Sequence, residues 1–268
     1  MPDSGSGWGP VNVAGLLACL AWLARATVTA ADTAGAGADR VEMVEVAGGE
    51  FVMGSDDPDA DADERPASRV RLETFWIDRV EVTRGRYAAC VARHVCTMPS
   101  GPAVEDESKA DEPVSIVSWT QASTYCRWVG KRLPTEAEWE KAARGVDGRR
   151  FPWGNDFDAR RANAGYTAGL AAVGLFPDGA SPYGALDMAG NVWEWTSSLY
   201  RPYPYDADDG REDQAARGAR VNRGGSWYYG AWYNRTTFRA TADHGYRRVG
   251  DLGFRCAGSE AQGASASR

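Results

Sequence analysis

Histidine is scarce in this chain: only His94 and His244 occur in 268 residues. That argues against a three-histidine iron site and against a histidine-rich zinc site. Basic charge is also lacking. The formal net charge is −7, and a phosphate backbone needs a basic face, so nucleic acid is not the expected partner. Long apolar runs are missing too; the single run, residues 11–28, is short for a membrane span. Beyond residue 146 no long helical periodicity is found. What is plentiful is 11 Trp and 11 Tyr among 31 Gly and 13 Pro. Many rings among many turn formers predict a compact, loop-rich fold with little regular structure. The length suits one large domain or two small ones.

The apolar run reads as an export signal. It contains Leu16-Leu17-Ala18-Cys19-Leu20-Ala21-Trp22-Leu23 and ends in small residues, with Val28-Thr29-Ala30-Ala31 as the cleavage region. An uncleaved anchor and a lipoprotein attachment at Cys19 are the alternatives. The expected organisation is a signal peptide over 1–31, a small-residue linker over 32–40, one domain over 41–258 and a flexible tail over 259–268. An exported location follows (periplasm, cell envelope or secreted), with no stable membrane span once the signal is removed. Removing the signal leaves Cys90, Cys96, Cys126 and Cys256. An even number in an exported chain favours disulfides.

Taken in order, residues 41–54 read as a β-hairpin turning at Gly48-Gly49. Residues 55–65, with six acids among small residues, read as a solvated loop. Residues 70–82 read as a strand pair that buries Phe75, Trp76 and Ile77. Thr83 caps a short helix over 84–93, and the loop between Cys90 and Cys96 is short enough for a local disulfide. After a polar loop, 113–117 reads as a strand. Ser118 and Gln121 form a capping box for a helix ending near Val129 and Gly130. Thr135 and Glu138 form a second box, for a helix that buries Trp139 and Ala142-Ala143 and stops at Gly145. Residues 160–183 read as a loop with one or two short strands, and 201–218 as a second acidic loop. Residues 220–227 and 252–257 are expected as late strands.

The stretch around which the chain is organised is 184–199. Asp187, Asn191 and Glu194 lie there within eight positions, beside Trp193 and Trp195, with Gly190 before the asparagine. The pattern suits an irregular turn whose carboxylates and carbonyls converge on a hard cation while the rings anchor it. The spacing alone favours a turn with solvated acids and two core tryptophans, since no EF-hand-like loop is present.

Gly190-Asn191-Val192-Trp193-Glu194-Trp195 resembles a signature of the formylglycine-generating enzymes, the sulfatase-modifying factor family. Six further stretches are similar to that family's, in its order. They are Gly48 through Gly54; Phe75-Trp76-Ile77-Asp78 with Glu81-Val82-Thr83 and Tyr87; Lys131-Arg132-Leu133-Pro134-Thr135-Glu136-Ala137-Glu138-Trp139-Glu140; Phe151-Pro152-Trp153-Gly154-Asn155; Arg223-Gly224-Gly225-Ser226-Trp227; and Leu252-Gly253-Phe254-Arg255-Cys256. The resemblance implies an irregular α+β fold related to C-type lectins, with two adjacent helices and short antiparallel strands. It implies a disulfide between Cys126 and Cys256. It implies a structural calcium site from the side chains of Asp187 and Glu194 and the carbonyls of Gly190 and Val192. A second family calcium site begins at positions matched by Asn163 and the carbonyl of Ala164; its later half has no clear match in 166–175.

The family oxidises a substrate cysteine with oxygen, using copper(I) on two thiolates three and eight positions after the matched serine. Counting from Ser226, those positions hold Tyr229 and Asn234. A phenol and an amide are poor ligands for a soft cation, so copper is not expected. Ser226, Trp193, Tyr233 and Asp251 match positions in or near the family's pocket, with Asp251 where asparagine is usual. Each also has a plain structural reading: Ser226 as a turn residue, Trp193 as core, Asp251 as a cap where a strand begins. Residues 227–248, rich in Tyr, Trp, Asn and Arg, read as a contact surface, with half of the rings going to the core. Related iron-dependent sulfoxide synthases need a histidine cluster that two histidines do not supply. Two functions are therefore expected: an oxidoreductase-like member acting on an exported protein or peptide by an altered mechanism, or a non-catalytic, calcium-stabilised binding module.

Overall fold

A computed structural model of the chain describes residues 42–100, 104–242 and 250–259. The expected signal and linker, His244 and the end of the contact surface, and all but the first residue of the expected tail lie outside these.

The described residues form an α+β fold. Strands β1 (Met43–Val46), β2 (Gly49–Met53), β3 (Ser68–Leu72) and β4 (Phe75–Asp78) come first. Helices α1 (Arg84–Ala92), α2 (Trp119–Trp128) and α3 (Glu136–Arg144) follow. Strands β5 (Trp193–Leu199), β6 (Arg220–Arg223), β7 (Ala240–Ala242), β8 (Leu252–Gly253) and β9 (Ala257–Gly258) complete the fold. They make three sheets, ordered β1-β4-β9, β2-β3 and β7-β6-β5-β8.

The helices are set by local chemistry. Thr83 accepts from Arg86 N at the start of α1. Ser118 with Gln121, and Thr135 with Glu138, form reciprocal capping boxes on α2 and α3, and each satisfies two backbone donors that the first turn leaves open. Gly145 ends α3 with φ at 73°, a conformation that favours glycine.

Strand pairing departs from expectation. Residues 41–54 do not form a hairpin: β1 pairs with β4, Met43 opposite Asp78, and β2 pairs with β3, Gly49 opposite Leu72. The expected pair within 70–82 is likewise divided between two sheets. The cause is packing. Val46, Phe75 and Ile77 cover Trp139 and Ala142 of α3, while Phe51, Met53 and Val70 cover Ala137 in a separate cluster. Lys141 holds the point of divergence, donating to the carbonyls of Ala47 (2.8 Å) and Gly49 (3.0 Å). Residues 113–117 contribute a single bridge, Thr83 to Pro113, because Ile116 turns the backbone at φ 55°. The strands expected in 160–183 are replaced by two 3-10 turns, Ala159–Arg161 and Pro177–Gly179. The loop 55–65 is not wholly solvated: Glu64 is fully buried against Arg235 and Thr237.

Helix α3 is buried along its whole length, its charged residues included. Glu136 meets Arg239 (2.6 Å), and Glu140 meets Arg144 (2.9 Å) and Arg223. Pairing is what makes such burial tolerable, because an isolated ion in the interior is strongly penalised. The same interior positions β5, all seven of whose residues are buried, directly after the turn at 184–192.

Candidate functional site

The turn before β5 is built from backbone that few residue types adopt. Asp187 (φ 57°), Gly190 (φ 91°) and Asn191 (φ 58°) are all left-handed. At Gly190 a side chain is impossible, since a Cβ would stand 2.4 Å from the carbonyl oxygen of Asn163. Asn191 is the hub. It accepts from Asn163 Nδ2 (3.0 Å) and from Ala171 N (3.0 Å), and donates to Glu81 Oε1 (3.0 Å). Both tryptophans are buried, and Trp195 donates from its indole to the carbonyl of Val117 at 2.9 Å.

Glu194 faces Arg255, with both contacts at 2.7 Å, and accepts from the indole of Trp139 at 2.8 Å. Asp187 accepts from Gly174 N at 2.6 Å. Its carboxyl neighbour is Glu81, whose Oε2 has no hydrogen-bond donor among the described residues. Burial, then the charge of Asp187, pushes the Glu81 carboxyl well above the usual carboxylate range, and burial raises Asp187 as well. Two acids pressed together away from water share a proton or hold a cation. Asp187 and Glu81 would offer two carboxylates to a hard cation, whereas Glu194 is already engaged by Arg255. Among the described residues no group of three or more His, Cys, Asp or Glu side chains is disposed to hold a metal ion. Asn163, expected at a second cation site, donates to Asn191 and to the carbonyl of Gly169 (2.9 Å) and accepts from Thr167 (2.6 Å). It thus ties two loops together, and its neighbour Ala164 is buried.

The six expected pocket residues converge. Trp193 N donates to the carbonyl of Asp251 at 2.7 Å, and the Ser226 hydroxyl donates to Asp251 Oδ2 at 2.6 Å. The Trp193 ring meets Tyr229 edge-on at 5.6 Å, and Tyr229 lies 4.9 Å from Tyr233. Asn234 is fully buried and donates to the carbonyls of Tyr229 (2.9 Å) and Gly230 (2.8 Å). It locks the loop that carries Tyr229 and presents no ligand atom to solvent.

In the described part of 227–248, Tyr228, Trp232 and Tyr233 are exposed, while Trp227, Tyr229 and Phe238 are half-buried. Arg235 stacks on Trp232 at 3.8 Å. Reasoning from sequence missed Tyr166, whose ring meets Tyr228 edge-on at 5.7 Å. Nothing in residue type announces its position, which comes from a loop 62 residues away in sequence. All four described cysteines are in disulfides, Cys90 with Cys96 (Cα–Cα 5.3 Å) and Cys126 with Cys256 (5.6 Å). No thiol is left among the described residues for a soft metal.

Residues 29–260 match the sulfatase-modifying factor enzyme 1-like domain. The chain belongs to this family. A mouse relative, inactive C-alpha-formylglycine-generating enzyme 2, is 33% identical, with 81% of this chain and 85% of that protein covered. Formylglycine-generating enzyme of Thermomonospora curvata is 34% identical over 80% of this chain and 92% of its own length. Among solved structures, PvdO from Pseudomonas aeruginosa superimposes with a TM-score of 0.68 at 28% identity, over 82% of this chain and 95% of that one. The sulfatase-modifying factor fold and the disulfide between Cys126 and Cys256 thus stand as expected. No helix among the described residues is long and apolar enough to cross a membrane.

Proposed function

We propose that this chain is an exported sulfatase-modifying factor family domain that binds a protein or peptide segment on the aromatic face around 226–238 and does not perform copper-thiolate oxidation. The observation that carries the reading is Asn234. At the position where the family needs its second thiolate stands a buried amide, with its donors committed to the carbonyls of Tyr229 and Gly230. At the first thiolate position stands Tyr229, packed between Trp193 and Tyr233. Copper(I) selects soft sulfur ligands, and neither replacement offers one. Relatives named as inactive and as formylglycine-generating enzyme match at similar identity, so the reading rests on these two residues.

Ser226, Asp251 and Trp193 then serve as a rigid floor, and the exposed rings of Tyr228, Trp232 and Tyr233 as the contact surface. Tyrosine and tryptophan give large contact area with little loss of side-chain freedom. Two disulfides support an oxidising, extracytoplasmic location. A structural cation such as calcium would be held by Asp187 and Glu81, and would supply positive charge between two buried acids. Copper(I) titration against a chromophoric chelator tests the reading. No stoichiometric uptake is expected; one equivalent bound tightly would overturn it.

A further inference from the structure

Tyr166 is held in a conformation that its own packing does not repay. Its φ is 64°, in the left-handed region, where a bulky residue is a genuine outlier. It is fixed from both sides: Gly165 N donates to the carbonyl of Tyr229 (2.8 Å), and Thr167 N to that of Trp227 (3.1 Å). Of the other left-handed residues that are not glycine, Asp187 and Asn191 gain burial and hydrogen bonds from the arrangement, Ile116 is half-buried, and His94 is exposed but carries no large ring. Tyr166 instead leaves 69% of its surface in water, and its partner Tyr228 leaves 51%. Backbone strain that produces an exposed ring points to something the ring must touch.

Beside this pair lies an open groove of about 560 Å³, lined by Arg84 and Lys109, by Leu170, Leu175 and Phe176, and by Trp227. Its charged lining residues are Arg84, Lys109 and Glu112, one net positive charge, although the protein is acidic overall. Glu112 bonds Arg84 at 2.7 Å and reaches Lys109 only at 3.9 Å, so Lys109, half exposed, is a weakly held cation at the rim. Two buried donors on side chains of the groove, Arg84 Nη1 and Trp227 Nε1, have no acceptor among the described residues. Leu175 leaves 62% of its surface uncovered. Cations and donors short of acceptors, next to an apolar wall, match a carboxylate adjoining an apolar group. Trp227 joins this groove to the exposed rings through Tyr228 (5.5 Å), so a ligand that covers both is a chain.

We propose that this groove, with Tyr166 and Tyr228 as its aromatic edge, is a subsite for a peptide segment carrying an acidic side chain next to an apolar one. The proposal rests on the peptide-binding reading above and adds where the ligand sits and what it carries. The test selects a phage-displayed library of random dodecapeptides on the purified full chain and measures the enriched peptides by fluorescence anisotropy. Enrichment of Asp or Glu beside Leu, Ile or Phe is expected. Lys109→Glu should weaken those peptides about tenfold and flatten their salt dependence. Tyr166→Asn, which suits the left-handed backbone but removes the ring, should weaken them similarly while melting no lower than wild type. Enriched peptides that lack acids, or that bind both variants as tightly as wild type yet are lost in Tyr233→Ala, would overturn the subsite and leave the broader reading standing. Enrichment of nothing would overturn both.

Discussion

Replacing Glu194 by glutamine keeps the size of the side chain and removes its charge, and the structure says what that charge does. Glu194 and Arg255 both have fully buried side chains, joined by contacts of 2.7 Å from Nε and Nη2, and the same carboxylate accepts from Trp139. Arg255 also donates to the carbonyls of Asp78, Arg79 and Leu186, so it stays where it is when its counter-charge is lost. Breaking a buried pair from one side costs about 3–5 kcal/mol, and here Arg255 loses its directly bonded partner and keeps only the weaker influence of Glu81 and Asp187. For a domain of this size that is a fall in Tm of about 6–20 °C. The assay is calorimetric unfolding of wild type and Glu194→Gln, each in excess calcium and in chelator. The expected result is the same drop in both buffers, since the partner is Arg255 and not the cation. A drop confined to the calcium buffer would refute this assignment and make Glu194 a cation ligand.

Chelator alone should lower the Tm of the wild type, and calcium at about one hundred times its Kd should restore about 2.7 kcal/mol; no shift would count against the cation at Asp187 and Glu81. The double substitution Tyr229→Cys and Asn234→Cys should gain copper(I) uptake, yet lose about 2 kcal/mol in denaturant unfolding, because Asn234 gives up two buried hydrogen bonds. Removing the disulfide between Cys126 and Cys256, 130 residues apart, should cost about 5 kcal/mol, against about 2 kcal/mol for the one between Cys90 and Cys96, 6 apart. Burial pushes the phenols of Tyr87 and Tyr200 up to about 12. The folded state therefore holds protons that the unfolded state releases near pH 10, so stability should fall as pH rises from 10 to 12, with tyrosinate absorbance lagging that of the unfolded chain.

What the sequence made legible was local. Ser118 with Gln121 and Thr135 with Glu138 lie three residues apart, and the interactions that define these caps are confined to that span. The convergence of Ser226, Asp251, Trp193, Tyr229, Tyr233 and Asn234 was legible only through resemblance, because residues 193 and 251 meet through a parallel strand pair that no periodicity announces. Strand partners were not legible: β1 and β2 are neighbours in sequence but cover different faces of α3. Glu64 was misjudged as solvated because its cation, Arg235, lies 171 residues away. Composition marks a run of acids as surface, and only the fold brings an arginine to one of them. The left-handed backbone of Tyr166 is similarly silent, since it is imposed by bonds to residues 227 and 229.

The most direct test of the central claim uses the purified protein with copper(I), oxygen and a cysteine peptide carrying a sulfatase motif, read by mass spectrometry. The account predicts an unmodified cysteine from a folded protein, with Tyr229→Cys and Asn234→Cys run beside it under the same conditions. Conversion of the cysteine to formylglycine by the wild-type chain would contradict the account, because it would require oxidation at a position where the structure places a phenol and a buried amide.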